Sequence, residues 1–307
     1  MEITITATAD SVFQAKKMLE AGVDVLYIGE SAFGLRLATS FTREELKEVV
    51  SLAHQVQTKV TVAVNALMHP DKIKNVLEYL QFLEAILTDQ IVVSDPGVIF
   101  LLQKAGLSLP FIYEASTFVT SARQVNFWAQ KGAVAAVLAR ELPAKELFLM
   151  RDQFLIPTEI LVYGATVIQH SRRPLLQNYF NFIKINEDQS LARDWSLTEP
   201  QDPHSHYSIF EDQHGTHIFA NNDVNLLLEL EKLASWGYHY WKLDGLYTPR
   251  ENFVKIVELF VKAKSMLKAG KWNLAKATLL DEDVRRYHPQ NRGLDEGFFA
   301  LNFEDVE

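Results

Sequence analysis

Leu19-Glu20-Ala21-Gly22-Val23-Asp24-Val25-Leu26-Tyr27-Ile28-Gly29 joins the end of an amphipathic helix to a short β-rich run through one glycine. The same unit returns as Lys104-Ala105-Gly106 before Phe111-Ile112-Tyr113 and as Lys131-Gly132 before Ala136-Val137-Leu138. A further copy is Ser235-Trp236-Gly237 before Tyr240-Trp241-Lys242-Leu243. A glycine fits that place because a helix that must stop and turn into a strand ends in the left-handed conformation, which glycine adopts without steric cost. Reading outward from these copies predicts eight strands, near residues 3–7, 25–29, 59–64, 90–94, 111–114, 134–138, 159–163 and 240–243. Helical patterns fill the gaps, as in Thr42 to Gln57, where Thr42 and Glu45 form a capping box. Strands alternating with helices imply parallel pairing with right-handed crossovers. The expected fold is therefore α/β, a (β/α)₈ TIM-type barrel, with an open doubly wound sheet as the alternative.

One gap breaks the rhythm between the seventh and eighth strands. The expected division is residues 1–170 for barrel strands one to seven, a long excursion at 171–216, barrel completion at 217–270, and a helix-and-loop tail at 271–307. The excursion is polar and rich in His and Asp, without a clear period; a loop of that length is usually functional or mobile. The regular pattern is expected to resume at His217 to Ala220, with a helix beginning near Asp223 and a long one from Arg250 to about Ala269.

Composition narrows the chemistry. The 307 residues contain no cysteine, so this chain cannot supply disulfides, thiolate nucleophiles or sulfur ligands for a metal. A formal net charge of −9 argues against a broad electrostatic grip on nucleic acid, although local patches can still bind RNA. No apolar run is long enough to span a membrane, and Met1 to Ala9 lacks a basic region followed by an apolar block, so a cytoplasmic protein is expected.

The strand ends deliver a ring of polar groups to one face of the barrel: Glu30, Asn65, Asp95, Glu114, Ser116, Arg140, Glu141, Lys242 and Asp244. Barrel enzymes build their sites on that face, and charges at the ends of apolar strands need partners. Each also has a structural reading. Asp95 can cap the helix opening at Pro96, and Arg140-Glu141 and Lys242-Leu243-Asp244 can be ion pairs as readily as an anion clamp. The excursion's His204, His206, His214 and His217 match no defined metal-ligand spacing and are expected to be solvated, so no metal is expected. Lys255, Lys262, Lys264, Lys268 and Lys271 line the last long helix as a solvated face or as phosphate contacts. Motifs for a nucleophile elbow, a zinc protease, a phosphate loop or a dinucleotide fold are absent.

Several longer stretches go together: Glu20 to Gly29, Phe33 to Phe41 with Arg36, and Val64 to His69. Ser94-Asp95-Pro96-Gly97, Ala115-Ser116-Thr117, Arg140-Glu141-Leu142 and above all Glu159 to Pro174 with His170 complete the set. In these the chain resembles the collagenase-like peptidase family, which includes proteins of tRNA wobble-uridine hydroxylation and of anaerobic ubiquinone hydroxylation. Many members hold an iron-sulfur cluster on four cysteines; here Val167 and Pro174 occupy two of those places and the two later cysteines are missing, so no cofactor of its own is expected. Lys242-Leu243-Asp244-Gly245 is similar to a Lys-Ile-Glu-Gly element, and Arg292-Gly293 with Gly297-Phe298-Phe299 to the family's C-terminal element. The resemblance implies a short member that works with a longer, cysteine-bearing relative in prephenate-dependent tRNA uridine hydroxylation; the family's traditional activity, peptide hydrolysis, is the alternative. It makes Glu30, Arg36, Asn65, Asp95, Ser116, Arg140, Glu141, His170, Lys242 and Asp244 the candidate substrate-binding residues. Arg36, Arg140 and Lys242 are the groups expected to hold an anion. Contact with tRNA and a homo-oligomer are left open.

Overall fold

The computed structural model describes residues 2–114, 119–185 and 193–301, with Asp71 described by its backbone alone. Eight parallel strands close into a barrel: β1 (Thr4–Thr8), β2 (Val25–Gly29), β3 (Lys59–Val64), β4 (Gln90–Val93), β5 (Phe111–Glu114), β6 (Ala133–Val137), β7 (Thr158–Gly164) and, much later in the chain, Tyr240–Leu243. That last strand pairs with β7 on one side and with β1 on the other, Thr4 standing opposite Tyr240 and Thr6 opposite Lys242. The fold is thus the expected TIM-type barrel.

Local chemistry sets the helix boundaries. Helix α1 (Val12–Ala21) is capped by the Ser11 side chain, and Gly22, at φ 87°, returns its amide to the carbonyls of Leu19 and Met18. Helix α2 (Arg43–Gln55) has the full Thr42–Glu45 capping box, worth about 1 kcal/mol against alanine. Further round the barrel follow α3 (Pro70–Ala85), α4 (Pro96–Lys104), α5 (Ala122–Gln130) and α6 (Ala144–Met150). Glycines 106, 132 and 237, which end the other copies of the unit, all have positive φ. The outward strand faces pack on these helices through residues such as Ile5, Leu26, Val62, Ile160 and Trp241.

The excursion after β7 is ordered sheet. Strands β8 (Val167–Ser171), β9 (Ser196–Glu199), β10 (Asp202–Asp212) and β11 (Gly215–Phe219) form a four-stranded sheet in the order β8-β11-β10-β9, antiparallel throughout. Helix α7 (Leu175–Phe182) buries Leu176 and Phe180 against it with Ile209. The helix expected near Asp223 is instead β12 (Asn222–Asn225), antiparallel to the end of β7, and the next α-helix, α8 (Leu230–Ser235), starts one 3₁₀ turn later. Short apolar runs do not separate strand from helix, and pairing with β7 decides this one. With β13 (Tyr240–Leu243) the barrel is complete; α9 (Arg250–Lys268), α10 (Leu274–Tyr287) and β14 (Gly293–Asp295) follow, β14 adding to β12 in parallel. The α9 lysines are not one solvated face, because Lys264 is buried and its ammonium meets the Asp24 carboxylate at 2.6 Å.

Candidate functional site at the barrel mouth

The barrel interior is polar where most cores are apolar. Tyr27, Ala63, Val92, Ile112 and Val137 make a small apolar layer, and around it stand the buried Thr6, Thr8, Asn65, Glu114, Glu159, Lys242 and Asp244. The strand pleat explains the placement: Thr6 and Thr8 of β1, Tyr27 of β2, and Lys242 and Asp244 at the end of β13 alternate with residues of the outer core.

Asn65, immediately after β3, organises the mouth. Its carbonyl oxygen accepts the Leu35 amide at 2.8 Å, while its amide nitrogen donates to Glu114 Oε2 at 2.9 Å and reaches the Tyr27 hydroxyl at 3.4 Å. Fixing Leu35 fixes its neighbour Arg36, which is held at φ 52°. Arg140 donates to the Ala165 carbonyl, and its other arm stands 3.5 Å from Asp244 Oδ2. Gly164, at φ 127°, lies against the Asp244 backbone so closely that any side chain would collide, which locks the ends of β7 and β13 together. Lys242 is 3% exposed, with its ammonium 3.7 Å from the Tyr27 ring centroid.

Charge follows from this packing. Burial alone would raise the Glu114 carboxyl, but Lys242, Arg36, Arg140 and the Asn65 amide outweigh it and hold the group below its ordinary range. Glu159, near the start of β7, goes the other way: burial raises it, and Lys242 with the Thr6 hydroxyl at 2.6 Å offsets only part. Burial, reinforced by Glu114 and Asp244, drives the Tyr27 phenol well above its usual value. Burial lowers Arg36, with Glu114 opposing; a guanidinium's high intrinsic basicity keeps it charged. Three cations, Arg36, Arg140 and Lys242, therefore converge with Glu114 on one mouth, while burial raises the Glu159 carboxyl.

The small sheet lies over this mouth. Arg193 donates to the carbonyls of Leu37 and Ala38 and stacks on Phe210 at 4.7 Å, pinning the Arg36 loop from above. The hairpin between β10 and β11 docks on the rim, where His214 Nε2 is 2.6 Å from the Ser31 carbonyl and Lys72 donates to the Gln213 carbonyl. His204 and His206 are exposed, but His214 is buried by this docking and His217 against the rings of His170 and Phe210, which corrects the expectation of four solvated histidines. His217 Nε2 is 3.1 Å from Asp212 Oδ1, its ring stacks on His170 at 4.5 Å, and its Nδ1 is buried without a partner. Burial lowers its pKa against the pull of Asp212, and Arg36 is near enough to lower it further.

Of the ten candidates, Arg36, Asn65, Arg140, Lys242 and Asp244 come together here. Glu30 sits on the rim, its carboxylate 3.9 Å from Arg43. Asp95 spends both oxygens on backbone amides, those of Gly97 and Met68, and so holds the loop and caps α4. Glu141 is half-buried one residue beyond Arg140, whose carboxylate partner is Asp244 across the mouth. His170 lies on the small sheet, and Ser116 lies outside the described residues. Sequence reasoning missed Tyr27, Glu159, Arg193 and the Asp212–His217 pair. Only Glu159 left a signal, a lone acid opening the apolar run Ile160-Leu161-Val162. Among the described residues no group of three or more His, Asp or Glu is placed to hold a metal ion.

The model of peptidase family U32 matches residues 10–305. The chain belongs to peptidase family U32. Among family U32 relatives, tRNA hydroxylation protein P2 of Bacillus subtilis is 33% identical over 97% of this chain and 96% of its own length. For tRNA hydroxylation protein P of Escherichia coli the values are 26%, 92% and 71%. A solved U32 peptidase aligns with 80% of this chain and 92% of its own at 14% identity and a TM-score of 0.49. The cluster found in many U32 members does not fit this chain. Val167 is packed among Ala165, Phe210 and Phe219, Pro174 precedes α7, and neither can donate to iron. No helix among the described residues is long and apolar enough to cross a membrane.

Proposed function

We propose that this chain is a subunit of tRNA wobble-uridine hydroxylation, acting in the cytoplasm with a longer, cysteine-bearing relative, and that its barrel mouth holds a carboxylate-bearing co-substrate such as prephenate. The observation that carries this reading is the convergence of Arg36, Arg140 and Lys242 on one buried mouth, each near enough to Glu114 to depress its pKa. The named relatives supply the reaction class. A planar guanidinium receives a carboxylate through paired charged hydrogen bonds, and Arg140 is the best placed to do so, since its contact with Asp244 is long at 3.5 Å. Residues of this chain bind and orient; with no thiolate to hold a cluster, the electron transfer of the hydroxylation falls to the partner. Peptide hydrolysis is disfavoured by the same chemistry, because among the described residues no Ser hydroxyl is bonded to a histidine ring and no metal set is present.

Deleting the gene and measuring tRNA nucleosides by mass spectrometry tests the reading. Hydroxylated uridine should disappear, return with the wild-type gene, and stay absent with Arg140→Ala although that variant folds and still co-purifies with the longer relative. Unchanged nucleosides, or chelator-sensitive proteolysis by the pure chain, would overturn it.

A further inference from the structure

Residues 160–186 contain no Asp or Glu, in a chain that has 39 of them and a net charge of −9. This acid-free stretch forms the end of β7, β8 and α7, and it carries Arg172, Arg173 and Lys184, all exposed. Phe182 is 83% exposed and Tyr179 57%, one helical turn apart on the outer side of α7, with Asn178 and Asn181 exposed beside them. The base of this face is anchored. The first amides of α7 are held by Thr216 Oγ1 at 2.9 Å and Glu211 Oε2 at 3.1 Å, and Tyr179 packs edge-on against the buried Phe180. The cationic character continues toward the mouth. Arg172 lies against Gly215 at the docked hairpin, and Lys72 reaches that hairpin from α3.

The geometry points to this face, Arg172 and Arg173 at the end of β8 with Tyr179 and Phe182 on α7, as a binding surface for unpaired RNA bases; the inference rests on the tRNA reading above and locates its substrate. Rings exposed to water stack on bases of any identity, and the Asn amides can meet base edges. Arginines and a lysine neutralise the connecting phosphates, and the lack of acids removes the repulsion that the rest of this acidic molecule would exert. A protein partner would find the same rings, but it gives no reason for carboxylates to be missing from the exposed part, residues 168–185. Double-stranded RNA would offer no unstacked base to the rings.

The test is a fluorescence anisotropy titration of the full chain with a labelled stem-loop RNA and with its fully paired counterpart, over a series of salt concentrations. Wild type should prefer the looped RNA. Tyr179→Ala with Phe182→Ala should weaken that binding about tenfold or more, as stacking of about 1–3 kcal/mol per base implies, and leave the salt slope unchanged. Arg172→Ala with Arg173→Ala should flatten the slope of log affinity against log salt by about 1.4, from about 0.7 per phosphate contact on a single strand. Four-site variants with wild-type affinity, no preference for the loop, or failure of wild type to bind would each overturn the surface. So would substitutions that release the longer relative and leave RNA binding intact. The two readings fail separately: variants at this face that still restore hydroxylated uridine in cells remove the surface and leave the tRNA reading standing, whereas unchanged nucleosides after gene deletion remove the tRNA reading itself.

Discussion

Lys242 in the barrel mouth lies over the Tyr27 ring between two buried carboxyls, Glu114 and Glu159, and is 3% exposed. Lys184 at the end of α7 stands in water within a stretch that has no acid. Both are cations, yet one is a member of a closed set of charges and the other is offered outward. A buried charge is tolerated only with its partners present, so the groups proposed to receive an anion in the barrel are also structural groups. An exposed charge has little folding role, and a substitution there reads out on binding alone.

The comparison can be broken most forcefully at Lys242. Lys242→Met should cost about 3–5 kcal/mol by urea denaturation, because the buried Glu114 and Glu159 lose their common cation. A change under 1 kcal/mol would mean that water or a rearranged arginine already compensates the mouth. Next come the two carboxyls, which should respond to pH with opposite signs. Glu114 is held below its ordinary range, so it contributes stability above that range and loses it as pH falls through the folded value. Glu114→Gln should therefore cost about 1–3 kcal/mol at neutral pH, with the gap to wild type closing in acid. Glu159 is raised, so its ionised form costs stability, and the cost vanishes as pH falls through its folded value. Glu159→Gln should be the more stable protein at pH 7 and lose that advantage in mild acid. Urea midpoints across the acid range read both, and parallel curves would dissolve the distinction. The smallest effect belongs to α7: Phe182→Ser and Lys184→Ala should each stay within about 0.5 kcal/mol of wild type, even where the RNA titration moves. A larger loss would place α7 in the core.

The barrel was legible because each βα unit repeats one local rule. Apolar runs such as Val25-Leu26-Tyr27-Ile28 follow helices that end where a glycine takes positive φ, Leu87 takes that conformation before Ile91-Val92-Val93, and the eight strands lie within about a residue of their expected bounds. The excursion was not legible, for a physical reason. The first half of β10, Asp202 to Tyr207, is mostly exposed and carries no alternation, and its pairing with β9 shifts register between Asp202 and Tyr207. Within the site, Arg140, Lys242 and Asp244 could be named from their position after strands. The burial of His214 could not, because it comes from a hairpin docking on Ser31, a contact between residues far apart in sequence. Asp95 shows the converse: a carboxylate at a strand end whose neighbouring Pro96 already marked it as a cap.

Asp223 and Arg292 are buried together, with Arg292 Nη2 2.5 Å from Asp223 Oδ1 and its guanidinium over the Tyr247 ring at 4.5 Å. This pair gives the molecule a timetable. On the ribosome, Asp223 emerges beside an open barrel whose first strand still lacks the neighbour that Tyr240 to Leu243 will supply. Its counter-charge arrives later still. Until then an ionised carboxylate has no place in the interior, so β12 should remain unseated against β7 and the unfinished seam exposed. Seating of β12 and arrival of the tail thus become one late event that follows closure of the barrel, and a nascent chain stalled before Arg292 should be a better client for chaperones than one stalled after it.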